Sequence, residues 1–230
     1  MPDLITRTVK PFPDPSKLLK QVQDKTFQMG AIKKNNIVKR RKLTKQDWLK
    51  EGMRALGEKG IESIRVENLC ERQNVTRGSF YWHFQDREDF LNGVLSHWME
   101  HETYGIIHRV EKLGGNTYQK MENLFAEANS GKVDFSAELA IRLWARSDKE
   151  VARLVEKVDE DRFIYLVDRF LEMELSKSAA VQRSFSIYSL IFGEAMIRRR
   201  EGPANRQKRQ WACFRQAFDG IDIAHLIEEF

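Results

Sequence analysis

Two cysteines in 230 residues, Cys70 and Cys213, are too few and too far apart for a disulfide framework or a cysteine-built metal site. Each falls within an apolar helical pattern, so both are expected as buried thiols in a reducing compartment. Proline is scarce as well. Four of the five prolines, Pro2, Pro11, Pro13 and Pro15, crowd the first fifteen positions, which leaves little to interrupt helices elsewhere. No window approaches the roughly 18 uninterrupted apolar residues that suggest a bilayer span, and the start has charges with no apolar core behind them. Neither a membrane partner nor a secretory signal is expected, and the chain is expected in the cytoplasm. There is no P-loop, no dinucleotide-binding glycine pattern, no nucleophile elbow and no cysteine–histidine pairing, so neither an enzyme nor a cofactor is expected.

What is present is a globular composition, 41% hydrophobic and 32% charged, with charge unevenly placed. Residues 1–90 hold 19 Lys and Arg against 12 Asp and Glu, whereas the remainder holds 20 against 22. Within the basic part, Lys33, Lys34, Lys39, Arg40, Arg41, Lys42 and Lys45 form one short run. Such a run attracts a phosphate backbone through steering and counterion release, which makes nucleic acid the leading partner; a solvated tail is the other reading.

The punctuation divides the chain into an arm at 1–42, a small helical domain at 43–90 and a larger helical domain at 91–230. One weak helix, capped by Ser16 and stopped by Gly30, is expected inside the arm. Thr44 with Asp47 three residues on is a capping box, and Gly60 is the stop of that first helix. A second helix is expected over Val66–Gln73 and a third from Thr76 through His83, joined at Asn74, a residue that tolerates a left-handed turn. Thr76 then supplies a capping hydroxyl. Three helices in about 40 residues with so short a second turn make a helix-turn-helix, whose last helix enters the DNA major groove. On it Phe80 and Phe84 face the core, leaving Arg77, Ser79, Tyr81, Trp82 and His83 to the outer face and flank. No strand pattern follows. The fold class is all-α: an N-terminal three-helix helix-turn-helix domain followed by a larger helical ligand-binding and dimerisation domain of six or seven helices.

The run Val75-Thr76-Arg77-Gly78-Ser79-Phe80-Tyr81-Trp82-His83-Phe84-Gln85-Asp86-Arg87-Glu88-Asp89-Phe90-Leu91 resembles the recognition helix and following helix start of the tetracycline-repressor (TetR) family, and the resemblance extends back to Leu43. Gln73-Asn74 departs from the family's usual Ala-Gly, and Cys70 from its Ala. The resemblance implies a homodimeric transcription regulator, usually a repressor, whose C-terminal domain binds a small-molecule effector that releases double-stranded operator DNA. It implies base-edge contacts for Arg77 and Ser79, phosphate or base contacts for Tyr81 and His83, sugar–phosphate packing for Trp82 and a phosphate contact for Arg87. Thr76 and Gly78 share that surface, Gly78 by allowing close approach. Lys39, Arg40, Arg41 and Lys42 are expected to follow the backbone or enter the minor groove. A nonspecific or architectural DNA-binding protein without an effector is the alternative.

Two half-sites need two recognition helices at fixed spacing, so a dimer interface is required. Candidates are Phe185, Tyr188, Phe192 and Met196 over 181–200, and Trp211, Phe214 and Phe218 over 205–218; the same stripes also suit an intradomain core. A lever helix is expected from Arg87 to about Lys112. Along it His97, His101, Tyr104 and His108 make a stripe that suits, with Trp144, an effector pocket, although ordinary satisfied histidines fit equally. Phe125, Phe135, Phe163, Tyr165 and Phe170 are further wall candidates or plain core. No metal is expected, since His101-Glu102-Thr103-Tyr104-Gly105 breaks the zinc-hydrolase spacing.

Overall fold

The computed structural model describes residues 42–130, 135–197 and 200–222. The expected arm helix after Ser16, and Lys39, Arg40 and Arg41, lie outside them. The described residues contain helices and turns and no strand.

Helix α1 (Lys45–Lys59) opens on the anticipated capping box: the Thr44 hydroxyl accepts from the Asp47 amide at 3.2 Å, and the Asp47 carboxylate accepts from the Thr44 amide at 2.8 Å. Gly60, at φ 73°, ends it. After a 3₁₀ turn at Ile61–Ser63 comes α2 (Val66–Gln73), which terminates on Asn74 in the left-handed conformation, φ 52° and ψ 48°. Helix α3 (Arg77–Tyr81) is shorter than expected, because Trp82 and His83 turn out of it. Thr76 occupies its N-cap position, but the hydroxyl accepts no capping bond; that expectation is corrected.

Helix α4 (Arg87–Met99) continues through a π-helical turn (Glu100–Tyr104) into α5 (Gly105–Leu113). A Cβ built on Gly105 would lie 2.7 Å from the Glu100 carbonyl oxygen, so the wide turn depends on a bare α-carbon there. Then follow α6 (Thr117–Ala128), α7 (Phe135–Ala145), α8 (Lys149–Glu172), α9 (Lys177–Met196) and α10 (Pro203–Gln216). Asn116, Asp148 and Ser176 cap α6, α8 and α9 with their side chains.

Apolar burial creates two cores. The first joins α1–α4 to α7 and the first half of α8 through Trp48, Phe80, Phe90, Trp98, Ile141 and Val155. It therefore runs across residue 90. Close approach makes this possible: a Cβ on Gly52 would meet Val94 at 2.6 Å, and one on Gly57 would meet the Ala137 amide nitrogen at 2.9 Å. The second core joins α6, α8, α9 and α10 around Phe125, Phe170, Phe214 and Phe218. Cys70 is buried as expected, but Cys213 is half-buried, since its turn of α10 lies at the edge of this core.

Candidate nucleic-acid interface

Five residues of helix cannot hold their own orientation in water, so α3 is positioned by what it packs on. Phe80 is the anchor. Its ring meets Trp48 at 5.5 Å, Phe84 at 5.3 Å and Phe90 at 5.4 Å, which links α3 to α1 and α4. Helices α1 and α2 are clamped in turn by buried Glu51, which accepts from Arg54 at 2.9 Å and from Arg72; Arg72 also reaches Glu58 at 2.9 Å.

The opposite side of α3 is open. Thr76, Arg77 and Gly78 are exposed, Tyr81 is 47% exposed, and Trp82 stands 84% exposed. Tyr81 and Trp82 are therefore surface residues, which ordinary aromatic burial does not explain. Arg77 rests against Glu67 of α2 at 3.2 Å and the Tyr81 hydroxyl at 3.5 Å. Its pKa is raised, first by the Tyr81 bond and then by Glu67. An ion pair this exposed is weak, so Arg77 can exchange Glu67 for another partner at little cost. Glu67 was not foreseen, because it meets Arg77 across the inter-helix turn. A Cβ on Gly78 would meet only the Thr76 hydroxyl, at 3.8 Å, so nothing within the chain requires glycine there.

Two residues expected on nucleic acid are committed elsewhere. The half-buried His83 Nε2 donates to the Leu43 carbonyl at 2.8 Å, tying the end of the motif to the start of α1. The Arg87 Nε donates to the Ile64 carbonyl at 2.5 Å and its Nη2 to that of Ile61 at 3.3 Å. Both hold the α1–α2 connection against α4, and their expected phosphate contacts are replaced by this positioning role. Ser79 is half-buried on the flank of α3, and Lys42 is exposed before α1.

Residues 49–94, which cover this assembly, match the model of bacterial regulatory proteins of the tetR family. The chain carries a tetR-family regulatory domain. Over 51 residues it is 31% identical to the HTH-type transcriptional regulator AcrR of Shigella flexneri; the match covers 22% of this chain and 24% of that regulator's length. The fold likeness is longer. The ketosteroid transcriptional regulator KstR2 of Mycobacterium tuberculosis superposes with a TM-score of 0.57 over 81% of this chain and 96% of its own, at 15% identity. A Rhodococcus sp. structure classed with TetR-family transcriptional regulators gives 0.59 over 76% and 98%, also at 15% identity. The comparison proteins are regulators, and the motif followed by a helical body is the architecture they share with this chain.

In the helical body of this tetR-family protein, a cavity of ≈70 Å³ opens between α5, α6, α7, α8 and α9. Ile106, Ile107, Leu124, Phe135, Tyr165 and Ile191 supply much of its wall. At its edge Glu138, 2% exposed, is surrounded by donors: Trp98 Nε1 at 2.7 Å, Arg142 Nε at 2.9 Å, and Arg162 Nη1 and Nη2, each at 3.2 Å. Arg142 also forks onto Asp159 at 2.8 and 2.5 Å, and the Tyr188 hydroxyl donates to the same carboxylate at 2.6 Å. Burial opposes ionisation of Asp159, yet the bonds from Arg142 and Tyr188 outweigh it and hold its pKa below the ordinary value. Sequence periodicity gave no sign of this cluster, whose members are 17 to 40 residues apart.

None of the five expected effector residues lines the cavity. The π turn is the reason, since an extra residue advances everything after it by about 100° and breaks the stripe. Tyr104 donates to Asp161 at 2.5 Å, Trp144 packs on the first core, and His108 is half-buried. Of the aromatic wall candidates, Phe135 and Tyr165 do line it, whereas Phe125 and Phe170 are core. The interface expectations separate similarly. Phe214 and Phe218 are buried in the second core and cannot face a partner, and Trp211 packs against that core. Tyr188 and Phe192 are half-buried cavity walls, while Phe185 and Met196 are 64% and 68% exposed.

His97 and His101 do pair, their rings 4.1 Å apart, but among the described residues no group of three or more His, Cys, Asp or Glu side chains is placed to hold a metal. His97 is 8% exposed, and its Nδ1 has no hydrogen-bond partner. Burial first, then the charges of His101 and Lys50, lowers its pKa from 6.5 to about 4. The unfolded imidazole thus takes up a proton before the folded one, so this contribution to stability is intact above pH 6.5 and is lost as pH falls towards 4. Thermal unfolding followed from pH 7 to pH 4 should show a falling midpoint, with His97→Gln giving a shallower slope. An unchanged slope would remove His97 as the cause.

Proposed function

We propose that this tetR-family protein is a sequence-specific transcriptional regulator, a repressor that binds a near-palindromic DNA operator as a homodimer in the cytoplasm and responds to a small molecule held in its helical body. The observation that carries the reading is the open face of α3, where Arg77, Tyr81 and Trp82 surround the unobstructed Gly78. Donors and aromatic surface so arranged suit base edges and the sugar–phosphate wall. Thr76 and Ser79 add short hydroxyl donors beside them, and Lys39, Arg40, Arg41 and Lys42 add phosphate affinity. The first core supports coupling to the body, because α4 packs against the motif and leads through the π turn to the cavity. The dimer face is assigned to α9. Phe185 and Met196 are eleven residues apart, within about 20° of one another around the helix, and open Gly193 lies between them. No described helix is long and apolar enough to cross a membrane.

Fluorescence anisotropy on duplexes tests the proposal. One preferred operator should bind about 10³-fold or more tightly than bulk DNA, with affinity falling steeply as salt rises. Uniform binding to all duplexes would favour an architectural role. Gly78→Ala separates fold from function: the substitution should stabilise the chain by up to about 1 kcal/mol while weakening operator binding, since the methyl group meets DNA rather than protein. Unaltered operator affinity would show that α3 does not approach the duplex at Gly78.

A further inference from the structure

The cavity has a second compartment, and the two differ in chemistry. Ala128, Phe135 and Ile191 are common to the ≈70 Å³ chamber and to a ≈150 Å³ vestibule that adds Asn129, Glu194 and Gln210. We propose that the two together bind a small uncharged amphiphile, its aromatic or aliphatic body in the inner chamber and a hydroxyl-type head at the carboxamides of the vestibule. This deepens the regulator reading by naming the ligand class, and rests on that reading only for its effect on DNA.

Three observations carry the assignment. The inner chamber is walled by apolar side chains, with Phe135 and Phe192 meeting edge to face at 6.2 Å. Its charges are matched within the protein: Glu138 accepts four bonds, the capacity of a carboxylate, and Arg162, which supplies two of them, also donates to the Thr103 hydroxyl at 3.0 Å and the Glu102 carbonyl at 3.2 Å. An entering carboxylate or ammonium would lose hydration and find its natural counter-charge already bonded, so ions are excluded. In the vestibule, Glu194 is paired with Arg209 and accepts from Gln210 Nε2 at 3.3 Å, while Asn129 Nδ2 donates to the Phe125 carbonyl at 2.8 Å. A carboxamide has two donor hydrogens and a carbonyl acceptor, so these two side chains retain capacity for a neutral head that both donates and accepts. The size also fits: a dry cavity of about 150 Å³ accommodates a benzene ring.

Phenylbutanol, phenylbutyrate and phenylbutylamine share one body and differ in head charge. Calorimetric titration of the full chain, without DNA, should show phenylbutanol binding at least about tenfold more tightly than either charged analogue. Ala128→Trp, which fills the wall common to both compartments, should weaken it by about tenfold or more; Ile191→Trp should do the same should the first variant fail to fold. Equal or tighter binding of an ion, no binding of any probe, or affinity unaffected in a folded Trp variant would overturn the proposal. Duplex binding by the ligand-free chain is measured separately, so loss of the regulator reading and loss of the ligand assignment give different results.

Discussion

Glu138→Ala is expected to lower the unfolding free energy by about 3–5 kcal/mol, measured by urea denaturation at neutral pH. The carboxylate is 2% exposed and lies between two guanidinium groups, so its removal leaves Arg142 with Asp159 and leaves Arg162, buried more deeply, without its counter-charge. Trp98, fully buried in the first core, loses the acceptor for its indole N–H at the same time. A buried pair is costly to break, yet replacing all of it by apolar groups is far less so. Glu138→Leu combined with Arg162→Met should therefore be less destabilised than the sum of the single variants. A loss under about 1 kcal/mol for Glu138→Ala would show that the cluster is solvated rather than buried.

Arg77→Ala should weaken operator binding by about 1–3 kcal/mol, as expected for loss of a bidentate arginine–guanine contact. The folded state should scarcely notice, because the Arg77–Glu67 pair is exposed on both sides. Preference at one position in each half-site should relax, while the salt dependence changes by no more than one phosphate contact. An equal loss on operator and random duplex would assign Arg77 to the phosphate backbone instead.

Local chemistry was legible in the sequence. Thr44 with Asp47, Gly60 and Asn74 fix helix ends through bonds and backbone angles within four residues, and each behaves as its residue type dictates. Phe80 and Phe84 followed from helical spacing and the buried anchor they form. What escaped depends on partners far along the chain. Arg87 binds carbonyls 23 and 26 residues upstream, His83 one 40 residues upstream, and Glu138 meets Trp98 across 40 residues. A basic or imidazole side chain on an outer helix face gives no indication that a neighbouring loop claims its donors. The π turn was hidden too: Gly105 reads as a weak position in a regular helix, although here the missing side chain permits the wide turn that moves the histidine stripe off the cavity. In α10, one apolar stripe fits either a partner or a core, and the burial of Phe214 and Phe218 decides for the core.

The central claim is that α3 reads base sequence from two copies of the chain held at fixed separation. Selection of bound duplexes from a random DNA pool tests it in one step. The account predicts enrichment of a near-palindrome whose half-sites are centred about one helical turn, roughly 10 base pairs, or a multiple of it apart; a recovered pool as random as the input, or one enriched only for a single unrepeated half-site, would contradict it.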